Sequence, residues 1–197
     1  MAGIVAVLLA AGESSRMGQP KALLPWQGVP LVQYQVESLL QAGASPVIVV
    51  VGHQREMVEP HIPPIATVVV NPRYQEGRAS SVKAGLAAVP DDCDAVTFLG
   101  VDQPRSPTLL AQLFEAHRQS KALLTRPTYA GHHGHSVVFA ASLLPELRRV
   151  REETQGLRAV VRRHAAHLLD LPVDSPEALL DLNQPEDYQR ALAAKGQ

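Results

Sequence analysis

A loop of small residues follows the first apolar run of the sequence and contains two basic side chains. Gly12 and Gly18 permit close backbone approach, so that successive N–H groups can face phosphate oxygens. Arginine and lysine add permanent positive charge, the first as a planar fork and the second as a point charge. The segment predicts a cradle for a triphosphate that includes Gly12, Gly18, Arg16 and Lys21.

The loop differs from two common phosphate-binding signatures. No Gly-Lys-Ser/Thr follows at the Walker A spacing, and Ser14 stands where Gly-x-Gly-x-x-Gly requires its second glycine. Kinase-type nucleotide hydrolases and dinucleotide-dependent oxidoreductases are therefore disfavoured. The alternative is a solvent-facing connection without a ligand, because short glycine loops are common.

A second segment of glycine and serine lies at the start of a predicted helix. Gly77 lets the backbone pass close to a planar group, and Ser80 and Ser81 supply hydroxyl and N–H groups there. A helix N-terminus also favours anions, so the segment suits a bound nucleotide. A serine cap on an amphipathic helix that binds nothing is the alternative.

One carboxylate follows the apolar run over residues 95–99. Asp102 lies at the carboxyl end of this predicted strand, where ligands bind in open α/β sheets. Mg²⁺ takes hard oxygen ligands, usually one or two carboxylates with substrate phosphates and water. Asp102 is therefore a candidate ligand for Mg²⁺, with Mn²⁺ as the alternative cation. A helix cap is the other interpretation, but Ser106 followed by Pro107 fills that role better.

Three histidines lie close together in the loop over residues 131–135. A zinc site is disfavoured, because His132 and His133 are adjacent and do not easily converge on one ion. Cys93 is also the only thiol in the sequence.

Short aliphatic runs alternate with segments of helical periodicity. Unbroken apolar runs imply cover on both faces and predict buried parallel strands over residues 4–9, 47–51, 67–70 and 95–99. Helices are predicted over residues 31–42, 80–88 and 107–117. This alternation predicts an α/β fold, a three-layer, mostly parallel sheet with helices on both faces.

The regular alternation ends after about residue 124. A strand-like run over residues 136–140 precedes a charged helix over residues 143–163. We interpret this part of the chain as a lid or insertion. A strand over residues 167–173 and a helix over residues 185–194 follow. Because no repeat or linker interrupts the chain, we expect one domain over residues 1–197.

Composition narrows the classes of function. The 197 residues are 46% hydrophobic and 19% charged with a formal net charge of -1. This excludes a mainly disordered chain and provides no general attraction to nucleic acid or an anionic membrane. The single cysteine excludes an internal disulfide and predicts a reducing, cytoplasmic setting. The apolar run over residues 4–11 is too short to span a bilayer, and no positive charge precedes it as in a secretory signal.

Five segments together resemble the molybdenum cofactor cytidylyltransferases, a branch of the MobA-like nucleotidyltransferase superfamily. They lie over residues 8–25, 71–86, 99–104, 131–139 and 181–188. The resemblance implies a Rossmann-like nucleotidyltransferase fold with a small acceptor-side insertion. The implied reaction transfers CMP from CTP to the terminal phosphate of molybdenum-loaded molybdopterin and releases pyrophosphate.

The resemblance assigns catalytic and metal-binding roles to individual residues. Arg16, Lys21 and Asp102 are the implied catalytic residues. Asn183 joins Asp102 as the implied ligand for Mg²⁺, although this branch usually has an aspartate in its place. Period-two alternation puts Asp181 on the same side of an extended segment, so Asp181 is the reserve ligand.

The resemblance also divides the domain between two substrates. Nucleotide binding is expected over about residues 1–105, where Gly77, Ser80 and Ser81 would seat the base and ribose. The other expected nucleotide contacts are Leu9, Ala10, Ala11, Gly12, Ser15, Arg16, Lys21 and Asp102. Acceptor binding is expected over about residues 106–197, and the implied acceptor contacts are Gln103, Gly134 and His135.

Other functions stay open. A guanylyltransferase for the same cofactor, or a nucleotidyltransferase for another small phosphorylated acceptor, would use the same machinery. A non-catalytic cofactor carrier or chaperone would keep the fold without releasing pyrophosphate. The expected partners are the two substrates, with transient docking to molybdenum hydroxylases or their chaperones, and neither nucleic acid nor a membrane.

Overall fold

The computed structural model describes residues 3–14 and 17–195. The strands in these ranges are β1 (Ile4–Ala10), β2 (Pro25–Trp26), β3 (Val29–Pro30), β4 (Ala44–Val51), β5 (Thr67–Val70), β6 (Ala95–Gly100), β7 (Leu124–Tyr129), β8 (His132–His133), β9 (Val137–Ala140) and β10 (Leu168–Pro172). The helices are α1 (Leu31–Gln41), α2 (Arg55–Val58), α3 (Arg78–Leu86), α4 (Pro107–Gln119), α5 (Leu144–Leu147), α6 (Leu157–Arg163) and α7 (Pro185–Lys195).

One large sheet organises the molecule. Its strands follow the order β10-β7-β9-β6-β1-β4-β5, β8 pairs with β7, and β2 and β3 form a separate small hairpin. β1 pairs in parallel with both β4 and β6, and β4 pairs in parallel with β5. β9 runs antiparallel to its neighbours β6 and β7. The carboxyl ends of β1, β4 and β6 therefore meet at one edge of the sheet.

Both faces of β1 are covered, which explains why its sequence has no polar residue. Alternate side chains of a strand point to opposite faces. Ile4 and Leu8 join a core that includes residues of α1, α4 and α7. Val5 and Val7 join a second core that includes residues of α3, α5 and α6. This arrangement confirms the α/β prediction of a mainly parallel sheet between two helical layers.

The second half of the chain differs in detail from the predicted elements. The segment after residue 124 contributes β7, β8 and β9 to the main sheet, although no strand was predicted over β7. The prediction of one charged helix over residues 143–163 is wrong, because residues 148–156 separate α5 from α6. Gln155 and Gly156 have φ values of 65° and 54°, which are incompatible with a continuous right-handed helix. No helix in the described ranges is long and apolar enough to cross a membrane.

A buried histidine links α4 to the sheet and makes stability depend on pH. His117 is 8% exposed, its Nδ1 lies 2.9 Å from Thr125 Oγ1, and burial lowers its pKa below the ordinary value of 6.5. A depressed pKa means that the neutral form stabilises the fold above pH 6.5 and that this stability is lost as pH falls through the folded-state pKa. Urea unfolding of wild type and His117→Gln between pH 7.5 and 4.5 is expected to show the steeper acid loss in wild type, by up to about 1.4 kcal/mol per pH unit. Equal slopes would assign the acid dependence to other groups.

Candidate functional site

The carboxyl edge of the sheet opens into a cleft of about 170 Å³, here called the first cleft. It lies where β1 and β6 end side by side in parallel, which brings together two loops that are distant in the sequence. Six of the residues predicted to bind the nucleotide or a metal are among those lining it. The lining residues are Leu9, Ala10, Gly12, Ser14, Pro20, Lys21, Ala22, His53, Val58, Val101, Asp102 and Asn183.

The predicted catalytic pair, Lys21 and Asp102, is in direct contact. Lys21 Nζ donates to Asp102 Oδ2 at 2.8 Å, and the two side chains are 12% and 26% exposed. The backbone N–H of Lys21 also donates to Ser14 Oγ at 3.0 Å, which ties the start of a short 3₁₀ helix to the glycine loop. The ammonium group therefore has a fixed position in the cleft, and its charge is available to a triphosphate that separates the pair.

Backbone contacts position the glycine loop against β4. Ala11 is buried, and its carbonyl accepts the N–H of His53 at 3.2 Å. A Cβ on Gly52 would lie 2.9 Å from Cβ of Ala11, so a larger residue at position 52 would displace the loop. Ser15 and Arg16, which were predicted to bind the triphosphate, lie outside the described residues.

The two candidate cation ligands of the last motif, Asp181 and Asn183, line different cavities. Asn183 lines the first cleft with Asp102. Asp181 lines a different cavity, here called the second cavity, whose wall includes residues of α3, β9 and α6. Asp102 is joined to this segment through its backbone carbonyl, which accepts the N–H of Leu182 at 2.8 Å. Among the described residues that line it, the first cleft thus offers one carboxylate and one side-chain amide to a divalent cation.

The start of α3 faces the second cavity instead of the first cleft. Gly77, with φ of 98°, is the residue before the helix, and Arg78 and Ala79 line the second cavity. Ser80 and Ser81 are buried and lie 2.9 and 3.0 Å from Asn71 Nδ2, which donates to both hydroxyls. Their hydroxyls therefore hold the loop before α3, and neither serine is the helix cap.

A carboxylate from a distant segment caps α3. Glu152 Oε2 accepts the backbone N–H of Ala79 at 2.7 Å. A Cβ on Gly77 would lie 2.8 Å from Cδ of Glu152, so the glycine also makes room for this side chain. Glu152 lies between α5 and α6, where the sequence analysis expected an uninterrupted helix, and so this contact was missed.

Loss of this cap has a predicted energetic cost. Glu152→Ala is expected to lower the free energy of unfolding by about 1 kcal/mol, the usual effect of removing a side-chain helix cap. Denaturant unfolding checks this, with Glu153→Ala, the same truncation at the neighbouring exposed position, as the control. A loss of equal size in the two variants would contradict a specific capping role.

The second cavity is larger, at about 920 Å³, and its wall is rich in cationic side chains. All three predicted acceptor residues line it, namely Gln103, Gly134 and His135. Gln103 is 3% exposed, and its Oε1 accepts the N–H of Gly100 at 3.1 Å. The basic lining residues, which the sequence analysis did not place here, are Arg78, Arg126, His133, Arg158 and Arg162.

The protonation state of His135 follows from its surroundings. Burial lowers the pKa of His135, Asp181 opposes this effect, and Arg105, Arg158 and Arg78 add to it. The imidazole is therefore neutral at pH 7 and would meet an anionic ligand as a hydrogen-bond donor. The described residues contain no group of three or more His, Cys, Asp or Glu side chains that would hold a metal ion.

Comparison with known proteins identifies the family. The sequence profile of the MobA-like NTP transferase domain matches residues 6–168. The chain belongs to the MobA-like NTP transferase family. The match covers the glycine loop, the Lys21 and Asp102 pair and the histidine loop, while Asn183 lies beyond its end.

Relatives of similar length have different names. The chain is 32% identical to a nicotine blue oxidoreductase of Paenarthrobacter nicotinovorans, with 96% of each chain covered. It is 28% identical to a molybdenum cofactor cytidylyltransferase of Escherichia coli strain K12, with 95% of each covered. It is also 28% identical to a probable molybdenum cofactor guanylyltransferase of Opitutus terrae, over 95% of this chain and 94% of the relative.

Solved structures confirm the nucleotidyltransferase fold. A crystal structure of Rv0371c from Mycobacterium tuberculosis H37Rv superposes with a TM-score of 0.84 at 28% identity, over 98% of both chains. A nucleotidyl transferase from Methanothermobacter superposes with a TM-score of 0.81 at 26% identity, over 97% of this chain and 96% of the other.

Proposed function

We propose that this protein transfers CMP from CTP to the terminal phosphate of molybdenum-loaded molybdopterin. The observation that carries the proposal is the contact between Lys21 and Asp102 in a cleft beside a large, arginine-lined cavity. This arrangement suits a reaction between two anionic substrates, because one cleft holds a triphosphate while the neighbouring cavity holds a phosphorylated acceptor.

In the proposed reaction, an oxygen of the acceptor phosphate attacks the α-phosphorus of CTP in line. A new P–O bond forms, the bond between the α- and β-phosphates breaks, and pyrophosphate leaves with the electron pair. No protein nucleophile takes part. Lys21 and the backbone N–H groups of the glycine loop hold the triphosphate and stabilise charge on the transferred and leaving groups.

A divalent cation fits the first cleft. Asp102 and Asn183 are hard oxygen donors, but they are too few to enclose an ion, so substrate phosphates would have to complete its coordination. When bound, Mg²⁺, or Mn²⁺ in its place, would neutralise part of the negative charge on the phosphate groups of the substrate. A structure of Rv0371c is described as a complex with manganese, which supports a cation in this family. The manganese complex superposes on this protein with a TM-score of 0.79 at 25% sequence identity.

The second cavity suits the acceptor. Arg78, Arg158 and Arg162 provide fixed positive charge around an opening of about 920 Å³, and neutral His135 provides a hydrogen-bond donor. A phosphorylated pterin is anionic at its phosphate and bulky elsewhere, so it matches both the charge and the size. The names of the Escherichia coli and Opitutus terrae relatives support a molybdenum cofactor as the acceptor.

The preference for CTP over other nucleotides rests on a resemblance in sequence. Three segments resemble the cytidylyltransferase pattern more closely than the guanylyltransferase pattern, namely Ala10 to Gly12, the Leu24-Pro25 ending and residues 77–86. Delivery of the product to a molybdenum hydroxylase or its chaperone stays a prediction.

Pyrophosphate release tests the proposal directly. The purified protein is incubated with Mg²⁺ and molybdenum-loaded molybdopterin, together with CTP, GTP, ATP or UTP, and with each nucleotide alone as the control. We expect release only with both substrates and fastest with CTP. Preference for GTP would contradict the cytidylyl assignment and leave the reaction class intact. Absence of turnover with every nucleotide, with CTP still raising the melting temperature, would favour a carrier.

A redox function is the second candidate, because the Paenarthrobacter relative is named an oxidoreductase. The loop lacks the glycine fingerprint of dinucleotide enzymes, since Ser14 replaces the second glycine. Titration with NADH and NADPH by calorimetry is expected to show no binding. Binding of either dinucleotide in the micromolar range, without pyrophosphate release from any nucleoside triphosphate, would replace the transferase proposal.

A further inference from the structure

Arg105 is a fully buried cation that follows shortly after Asp102 in the loop after β6. Its guanidinium donates to the carbonyls of Pro104, Leu180 and Ala178 at 3.0, 2.9 and 3.1 Å. Burial lowers its pKa to about 10, while the nearby carboxylates of Asp181, Glu177 and Asp102 act in the opposite direction. The side chain is therefore charged at neutral pH even though no part of it reaches solvent.

The fork of Arg105 joins the two segments that carry the candidate cation ligands. Its own backbone belongs to the loop that contains Asp102, and the carbonyls of Ala178 and Leu180 lie just before Asn183 in the chain. The N–H of Leu182 donates to the carbonyl of Asp102 at 2.8 Å and forms a second link between the same segments. Two distant parts of the sequence are thus held in one relative position.

The loop that carries Arg105 is itself held by α1. Gln35 is fully buried, and its Nε2 donates to the carbonyls of Gln103 and Gly100 at 2.7 and 3.3 Å. Its Oε1 accepts the backbone N–H of Arg105 at 3.3 Å. A buried polar network of this kind makes a loop rigid, because each group would lose its partner if the loop moved.

Packing alone does not account for a buried arginine at this position. When buried charged residues are replaced by apolar residues of similar volume, the stability of the protein often does not fall, because removing a charge from water costs free energy. A hydrocarbon side chain, however, cannot bind carbonyls of two segments at once. The planar fork does so with fixed geometry, which a single ammonium group cannot match.

We propose that Arg105 is a positioning residue that fixes Asp102 relative to Asn183 and thereby sets the affinity of the nucleotide-loaded first cleft for a divalent cation. This inference rests on the proposed function, because the cation would bind between these ligands and the triphosphate. Replacing residues that orient metal ligands typically weakens metal binding by about 10–100-fold.

Manganese binding tests the proposal without requiring turnover. Free Mn²⁺ is measured by electron paramagnetic resonance at a fixed concentration of CTP for wild type, Arg105→Lys and Arg105→Met, and the Mn²⁺ that CTP binds in the absence of protein is subtracted. Lysine keeps the charge without the fork, and methionine keeps much of the volume without the charge. Both variants are expected to bind Mn²⁺ at least about tenfold more weakly than wild type. CTP binding without a divalent cation, measured by calorimetry, is expected to stay close to wild type.

Leu147→Ala separates positioning from general stability. Leu147 is fully buried on α5 in the second core, on the opposite side of the sheet from α1 and α4. This variant is expected to lower the melting temperature and to keep wild-type Mn²⁺ affinity. Two results would overturn the role of Arg105 without contradicting the proposed reaction. One is unchanged Mn²⁺ affinity in either Arg105 variant, and the other is an equal loss of Mn²⁺ affinity in Leu147→Ala. If wild type with CTP binds no Mn²⁺, the cation part of the proposed function fails as well.

Discussion

Lys21→Ala is expected to lower turnover by at least about 100-fold, the scale for loss of a preorganised charge that faces the transferred group. Lys21 Nζ is fixed at 2.8 Å from Asp102 and lies in the first cleft, so its charge is in place before substrate binds. Removing it leaves the triphosphate without this contact and leaves Asp102 without its ion-pair partner. The measurement is pyrophosphate release at saturating CTP, Mg²⁺ and acceptor.

The control for this variant is Lys121→Ala, which removes the same charge from an exposed position after α4. The control is expected to retain wild-type turnover. A rate within about threefold of wild type for Lys21→Ala would contradict the placement of this lysine in the reaction, because removal of such a charge has a much larger effect elsewhere. Higher salt is expected to weaken CTP binding in wild type more than in Lys21→Ala, because salt screens the attraction that the variant lacks.

Asp102→Ala is expected to have an effect of similar size, at least about 100-fold on turnover, because it removes the carboxylate that the described residues supply to the candidate cation site in the first cleft. Asp102→Asn sharpens the test. The amide keeps the size of the side chain but releases Lys21 from its ion pair, so CTP binding without a divalent cation is expected to be no weaker than in wild type. Turnover is expected to fall in both variants.

Asp94→Asn is the matched control, since this exposed residue precedes the same strand, β6, at its opposite end. We expect it to keep both turnover and Mg²⁺ requirement. Near-normal turnover in Asp102→Ala would remove the carboxylate from the proposed mechanism. Loss of turnover together with loss of metal-free CTP binding in Asp102→Asn would instead assign Asp102 to nucleotide binding.

The elements that depend on local pattern were predicted well. The aliphatic runs that became β1, β4 and β6 are largely buried on both faces, and such runs have few other stable environments. The run that became β5 was predicted to be buried as well, and this part of the prediction is wrong, because β5 is the edge strand of the sheet and most of its residues are exposed. The predicted and observed bounds of α1 and α4 agree within a few residues, because both helices have an apolar stripe and one clear end signal. For α1 this signal is Gly43 after the helix, and for α4 it is Ser106 followed by Pro107 at its start. β7 was missed because Arg126 and Pro127 interrupt its apolar pattern.

Parts of the candidate site that depend on one local segment were also predictable. Gly12, Lys21 and Asp102 are identifiable because small residues, a basic side chain and a carboxylate follow predicted strands at their carboxyl ends. Asn183 was placed through a resemblance in its motif. His53 carries no such signal, since it is one of eight histidines and lies in the cleft only because β4 ends there.

The sequence by itself determined the main strands and helices up to about residue 119, the fold class and the residue types available at the carboxyl edge of the sheet. Tertiary structure decided which of those residues meet. It brought Lys21 to Asp102, separated Asp181 from Asn183, buried Ser80 and Ser81, and placed Glu152 at the start of α3. The physical reason is that such contacts join segments far apart in the chain, so they depend on the packing of whole elements and not on the propensities of neighbouring residues.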